Sequence, residues 1–208
     1  MADRSFDDAR RWMRDGTKLL LEAVADLGAA ELAAPSLLPG WSRAHVVSHV
    51  AANADALGNL VHWARTGEET PMYASAEERA AGIERGTQLS AEELLGWLRT
   101  GAEALEEAMA ALTDVQWQHP VVTAQGRTVP ATETPWMRSR EVCVHVVDLA
   151  TGVRFGDLPT DFLEALVAEI SAKRELTSLP DGPLPEVAAW LAGRPHSLSD
   201  APELGPWL

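Results

Sequence analysis

The chain of 208 residues is long enough to bury a hydrophobic core, and its single cysteine, Cys143, excludes both an intramolecular disulfide and a cysteine-based zinc knuckle. A formal net charge of −14, with no stripe of lysine and arginine, excludes nucleic acid as a partner. No apolar stretch is long enough to span a membrane, and residues 1–15 alternate charges unlike a signal peptide, so we expect a cytoplasmic protein.

Two helices are predicted in the first third of the chain. Residues 6–27 place apolar side chains at helical spacing. A second helix is predicted over residues 42–64, with Ser42 as its N-cap. His45 and His49 lie on one face of this second helix, and alanines line the rest of that face. The second helix is therefore the first segment with candidate catalytic or metal-binding residues.

The middle of the chain contains two further helices and one irregular segment. Residues 90–112 form an apolar stripe, and the spacing of Ser90 and Glu93 is that of a capping box, which indicates a scaffold helix. Residues 116–134 favour either a short hairpin or an ordered loop. A fourth long helix is predicted over residues 135–151, because proline is tolerated in a first turn.

The remainder of the chain predicts a smaller C-terminal region. One more helix is expected over residues 161–175, followed by a proline-rich stretch and a short apolar segment at 187–192. We therefore divide the chain into a helical bundle at residues 1–152 and a small C-terminal region at residues 153–208.

The fourth helix contains the residue pattern that most clearly indicates a functional site. Glu141 and His145 lie about 40° apart on one helix face, and Asp148 lies about 20° to the other side of Glu141. A carboxylate and an imidazole at this spacing can bind one divalent ion, and a third ligand from a neighbouring helix would leave coordination positions open for water or substrate. His49 is the favoured third ligand, because small residues beside it leave room.

Each of these residues also has a structural interpretation. A histidine above alanines is typical of a satisfied core residue, and a Glu–His pair four residues apart is common on exposed helices. The apolar neighbours of Glu141 argue against exposure, since an unpaired carboxylate avoids such surroundings. Asp148 could orient a ligating imidazole or cap a neighbouring helix. Cys143 lies on the far side of its helix and is predicted to be a buried, inert thiol.

Three segments together resemble the mycothiol-dependent maleylpyruvate isomerase family. They are LPGWSRAHVVSHVAANADAL at 38–57, TPMYASAEERAAGIERG at 70–86 and PWMRSREVCVHVVDLATGV at 135–153. The resemblance implies a mainly α fold, a DinB-like four-helix bundle with a small C-terminal α/β appendage. About 55 residues follow the bundle, which is short for the C-terminal domain of the isomerases.

The resemblance also implies site residues. Zn²⁺, or another divalent metal, would be held by His49, Glu141 and His145, which match the metal-binding motifs of the family. A family arginine implicated in catalysis is similar to Arg194. Arg79 and Arg138 are candidate residues for binding the substrate or the thiol, and for each of them a surface ion pair is the alternative.

The implied activity is the conversion of maleylpyruvate, or a similar unsaturated keto acid, to fumarylpyruvate by reversible addition of the thiolate of mycothiol. Two alternatives stay open: a mycothiol S-transferase acting on another electrophile, and a non-catalytic metal-binding bundle. The expected partners are a small-molecule thiol and an electrophilic substrate, with no nucleic acid and no membrane. The sequence leaves open whether the chain is a monomer or a homodimer.

Overall fold

The computed structural model describes residues 4–205 and 207, and this part of the chain contains nine α-helices and two short strands. The helices are α1 (Phe6–Val24), α2 (Ala29–Ala33), α3 (Arg43–Thr66), α4 (Ala76–Gly86), α5 (Ala91–Ala110), α6 (Asp114–Trp117), α7 (Thr134–Asp148), α8 (Thr160–Lys173) and α9 (Leu184–Leu191). The strands β1 (Pro120–Val122) and β2 (Thr128–Pro130) form an antiparallel hairpin, with Val121 opposite Val129.

The four long helices α1, α3, α5 and α7 form the bundle. Helix α7 packs against α1 and α3, and α3 packs in turn against α5. The prediction of a mainly α, DinB-like four-helix bundle is confirmed, with one difference in the placement of the strands. The hairpin lies between α6 and α7, whereas residues 153–205 form helices and coil rather than an α/β unit, because their apolar residues follow helical spacing. No helix in the described residues is both long and apolar enough to cross a membrane.

Side-chain caps fix where two of the bundle helices begin. Ser42 precedes α3, and its hydroxyl accepts a hydrogen bond from the backbone N–H of His45. Ser90 precedes α5 in the predicted capping box: the Glu93 N–H donates to the Ser90 hydroxyl, and the Ser90 N–H donates to the Glu93 carboxylate at 2.9 Å. These caps satisfy backbone donors that have no partner inside the helix.

Helices α8 and α9 extend the core of the bundle. Leu166 and Ile170 of α8 and Leu191 of α9 are fully buried in the same apolar cluster as Val142 of α7. The C-terminal region is thus packed onto α7, the helix that carries two of the candidate ligands. The division of the chain after residue 152 stays a prediction.

Helices α1 and α7 approach closely at Gly16. A β-carbon at this position would lie 2.5 Å from Cys143 Sγ and 2.7 Å from a methyl carbon of Val142. Cys143 is itself buried, as predicted, and its thiol points at the carbonyl of Trp12. The contact leaves no room for a side chain between the two helices.

We expect Gly16→Ala to destabilise the protein by about 1–3 kcal/mol, because the added methyl overpacks the contact between α1 and α7. Thermal or urea unfolding would measure the loss. Gly96→Ala is the matched control: Gly96 also lies inside a long helix, but its added β-carbon would meet nothing within 4 Å. Equal stability of the Gly16→Ala variant and the natural chain would contradict the packing argument.

Candidate metal and substrate site

Three side chains meet between α3 and α7. Nε2 of His49 lies 2.8 Å from Oε2 of Glu141, and Nε2 of His145 lies 3.4 Å from the same oxygen. One ligand atom from each of the three residues lies within 4.8 Å of the other two. The structure therefore brings together the three residues that the sequence proposed as metal ligands.

The two imidazoles are buried and pack against each other. The rings of His49 and His145 are perpendicular, with centroids 4.8 Å apart, and Trp41 packs edge-on against His49. Both histidines are buried, at 5% and 2% exposure. Glu141 and His145 share one face of α7 because they are four residues apart, so the helix itself aims both toward α3.

The donor set fits a divalent metal ion. Two imidazole nitrogens and a carboxylate oxygen are typical protein ligands of a catalytic zinc site. Nδ1 of His145 lies 2.8 Å from Oδ2 of Asp148, and an Nδ1–H that donates there leaves the lone pair of Nε2 free. This Nε2 atom is buried and makes no hydrogen bond within the described residues. A buried polar atom without a partner is costly, and a bound ion would satisfy it.

The ionisation states of two ligands also suit a metal. Burial lowers the pKa of His49, which favours the neutral imidazole. Burial would raise the pKa of Glu141, but the two imidazoles outweigh it and hold the pKa of this carboxyl well below its usual range. For His145, burial works against the charged form, yet Asp148 and Glu141 raise the pKa above its ordinary value. Binding an ion at His145 therefore competes with a proton.

Asp148 connects the site to the C-terminal region. Its carboxylate accepts from Nε of Arg194 at 3.0 Å and from Nη2 at 2.8 Å, while also facing His145. Arg194 reaches this position because Gly193, which follows the C-cap of α9, has a positive φ of 71°, and the Arg194 N–H donates to the carbonyl of Ala189 at 2.9 Å. Asp148 is thus placed to orient a candidate ligand, which is one of the two roles that the sequence left open.

A cleft of about 1040 Å³ opens beside His49 and Glu141. His49 and Glu141 contribute to its wall, and the turn of the β1–β2 hairpin forms another wall. Four cationic side chains line the cleft: Arg79, Arg127, Arg140 and Lys173. These four cations outnumber the two carboxylates of the lining, Glu69 and Glu141, so the cleft favours an anionic ligand although the net charge of the chain is −14.

The three arginines proposed from the sequence have different surroundings. Arg79, on α4, lines the cleft, and its Nη2 lies 3.3 Å from Nδ1 of His49. Arg138 is buried behind the cleft, where it donates to Val50 O at 2.7 Å and to Asn53 Oδ1 at 2.8 Å; burial lowers the pKa of Arg138 to about 10. Arg194 is buried against Asp148 and does not line the cleft.

Several residues of the cleft were not predicted from the sequence. Arg127, Arg140 and Lys173 come from the hairpin, α7 and α8, so their proximity depends on how these elements pack. Trp207 also contributes to the wall. For Arg140 a signal existed, because it directly precedes Glu141, but nothing in helical spacing links it to Lys173.

The bundle, the His–Glu–His cluster and the cleft together define a DinB-like helical protein with a candidate metal site. A family model for the mycothiol maleylpyruvate isomerase N-terminal domain matches residues 13–150. The chain belongs to the mycothiol-dependent maleylpyruvate isomerase family.

Solved structures agree with this assignment. Two crystal structures, of the mycothiol-dependent maleylpyruvate isomerase and of a histidine-to-alanine variant of it, are each 37% identical to this chain. In both cases the match has a TM-score of 0.91 and covers 99% of this chain and 98% of the other. No curated protein gives a significant match.

A more distant structure supports the fold alone. YfiT from Bacillus subtilis, described as a probable metal-dependent hydrolase with an unusual four-helix bundle topology, is 19% identical. The match covers 71% of this chain and 89% of YfiT, with a TM-score of 0.55.

Proposed function

We propose that this chain is a metal-dependent and mycothiol-dependent isomerase that converts maleylpyruvate to fumarylpyruvate. The observation that carries the proposal is the 37% identity to the isomerase over 99% of this chain, because it includes the C-terminal region as well as the bundle. The cleft supports the same activity, since its four cationic side chains suit an anionic keto acid. We infer a location in the cytoplasm.

We propose Zn²⁺ as the ion held by His49, Glu141 and His145. Bound there, zinc would supply the chemistry that ionises the thiol of mycothiol near neutral pH, because a coordinated thiol loses its proton readily. The chain offers no nucleophilic thiol of its own. Cys143 is the single cysteine of the sequence, and its burial raises the pKa of the thiol far above neutrality.

The proposed reaction needs no net oxidation or reduction. The thiolate of mycothiol forms a C–S bond with one carbon of the cis double bond, and the π electrons move onto the conjugated carbonyl oxygen. The former double bond is now single and rotates. The electrons then return, the C–S bond breaks, and the trans acid and the thiolate separate. The cationic side chains of the cleft stabilise the negative charge on the acid throughout.

We assign different roles to the two arginines proposed for binding. Arg79 lines the cleft beside His49, so its guanidinium is placed to hold the acid or the thiol compound near the reacting atoms. Arg138 instead joins α7 to α3 through Val50 and Asn53, and we assign it to the scaffold that sets the spacing between the ligand-bearing helices.

The direct test combines metal analysis with an isomerase assay. We expect the purified protein to contain zinc, and to convert maleylpyruvate to fumarylpyruvate when mycothiol is present. Omission of mycothiol and removal of the metal with a chelator are the two controls, and each is expected to stop turnover. A metal-loaded protein that leaves maleylpyruvate unchanged in the presence of mycothiol would contradict the proposed function.

A further inference from the structure

One wall of the cleft is built from two cations and a tryptophan. The guanidinium carbon of Arg140 lies 5.5 Å from the ring centroid of Trp207, and Nζ of Lys173 lies 5.6 Å from the same centroid. All three side chains line the cleft. We call this set the Trp207 wall.

The segment before Trp207 is anchored to the bundle at two points. Trp190 of α9 donates its indole N–H to the carbonyl of Pro202 at 2.7 Å, and Arg174 donates to the carbonyl of Gly205. The apolar side chains of Leu198 and Leu204 pack against the main core. These contacts hold residues 198–205 on the bundle, and Trp207 lines the cleft.

The charge of the wall is only partly neutralised. Glu169 accepts from Arg140 at 2.6 Å and from Lys173 at 2.7 Å, so one carboxylate serves two cations. Arg127 adds a further positive charge to the same cleft. Burial lowers the pKa of Lys173, and the positive charges of Arg140 and Arg127 lower it further despite the opposing effect of Glu169. An anion bound here would offset the excess positive charge.

We propose that Arg140 and Lys173, covered by Trp207, form a subsite that binds a carboxylate of the acid substrate. This inference rests on the proposed function, because it assigns one end of the keto acid to a place in the cleft. The indole packs against both cations. Arg140, whose side chain is only 12% exposed, is largely removed from water, which strengthens its attraction for a carboxylate, while the Lys173 side chain, 41% exposed, stays accessible to a ligand. Arg79, beside the candidate metal ligands, then stays available for the reacting part of the acid.

The lysines of the chain allow a direct test that does not depend on turnover. Lys18 and Lys173 are the only two lysines in the sequence, and the Lys18 side chain is 77% exposed on α1, outside the cleft. Acetylation of each can be followed by peptide mass spectrometry on the full, metal-loaded chain. Maleylpyruvate without mycothiol is the probe, and sodium chloride of equal ionic strength is the control.

We expect maleylpyruvate to slow acetylation of Lys173 about fivefold at a concentration about four times its Kd, where roughly a fifth of the sites stay free. Acetylation of Lys18 is expected to stay unchanged. Equal acetylation of Lys173 with and without the acid would overturn the proposal, and so would protection by mycothiol alone. Protection of Lys173 in a chain that fails to isomerise maleylpyruvate would retain the subsite and reject the proposed function.

Variants supply a second, kinetic measurement. We expect Lys173→Met and Trp207→Ala to raise the KM for maleylpyruvate about tenfold while kcat changes by less than about threefold, because the contact binds substrate and transition state alike. Trp207→Phe is expected to restore most of the loss, and Lys18→Met to match the natural chain. A fall in kcat at constant KM for Lys173→Met would overturn the assignment.

Discussion

Glu141→Gln is expected to remove most of the metal from the protein and most of its isomerase activity with it. Glu141 Oε2 is the atom that both candidate imidazole ligands face, and a neutral amide binds a divalent ion weakly. Structural zinc sites with four protein ligands bind with about 10–16 kcal/mol, or about 3 kcal/mol per ligand. Weakening one of the three protein ligands here is therefore expected to lower the affinity on the order of a hundredfold. Competition with a chromophoric chelator would measure the affinity.

The matched control is Glu164→Gln, an exposed glutamate on α8 outside the site. Thermal unfolding of both variants separates metal loss from unfolding, because the Glu141→Gln variant keeps a side chain of the same size. A Glu141→Gln protein that binds zinc as tightly as the natural chain would show that the ion sits elsewhere, and the site assignment would fail.

The proposed ligands were accessible from the sequence because two of them lie on one helix. The spacing of Glu141 and His145 places both on the same face of α7 whatever the rest of the chain does. To propose His49, we also had to assume that α3 lies beside α7. The small alanines on the same face of α3 as His49 favoured that assumption, because they leave room beside the histidine. The matching segments of the family then pointed to the same three residues.

The proximity of the cationic residues of the cleft could not be predicted, because it depends on how distant elements pack and hydrophobic periodicity does not indicate that packing. Helix α4, which carries Arg79, was not predicted, although Ser75 caps it and the Glu78 N–H donates to its hydroxyl at 3.1 Å. The helix has only two buried residues, so its apolar pattern is too weak to recognise. Arg127 and Lys173 are 46 residues apart in sequence and meet at the cleft only because the hairpin packs on α3 and α8 is joined to α7 through Glu169 and Arg140.

The burial of Arg194 could not be predicted from the sequence. A charged residue in a proline-containing segment is expected at the surface, where it could reach a substrate. The structure instead buries it against Asp148, because the turn at Gly193 directs it back toward α7. The family resemblance predicts a role for Arg194 in catalysis, and the structure shows that such a role would pass through the contact with Asp148.

Arg194→Met is expected to weaken metal binding about 10-fold to 100-fold, because Asp148 loses the two hydrogen bonds that fix it against His145. The variant is also expected to lose about 3–5 kcal/mol of stability, the usual cost of leaving one partner of a buried ion pair uncompensated. Unfolding measurements on the metal-free protein give the second quantity, and chelator competition gives the first.

The double variant that combines Arg194→Met with Asp148→Asn tests whether the effect passes through this pair. Removing both charges leaves no uncompensated ion, so we expect a coupling energy of about 0.5–3 kcal/mol, with the double variant more stable than the sum of the single effects.

The kinetic behaviour of the Arg194→Met variant follows from the position of Arg194 outside the cleft. At saturating zinc, the KM of this variant for maleylpyruvate should change less than about twofold. A large rise in KM with unchanged zinc affinity would instead mean that Arg194 binds the substrate directly.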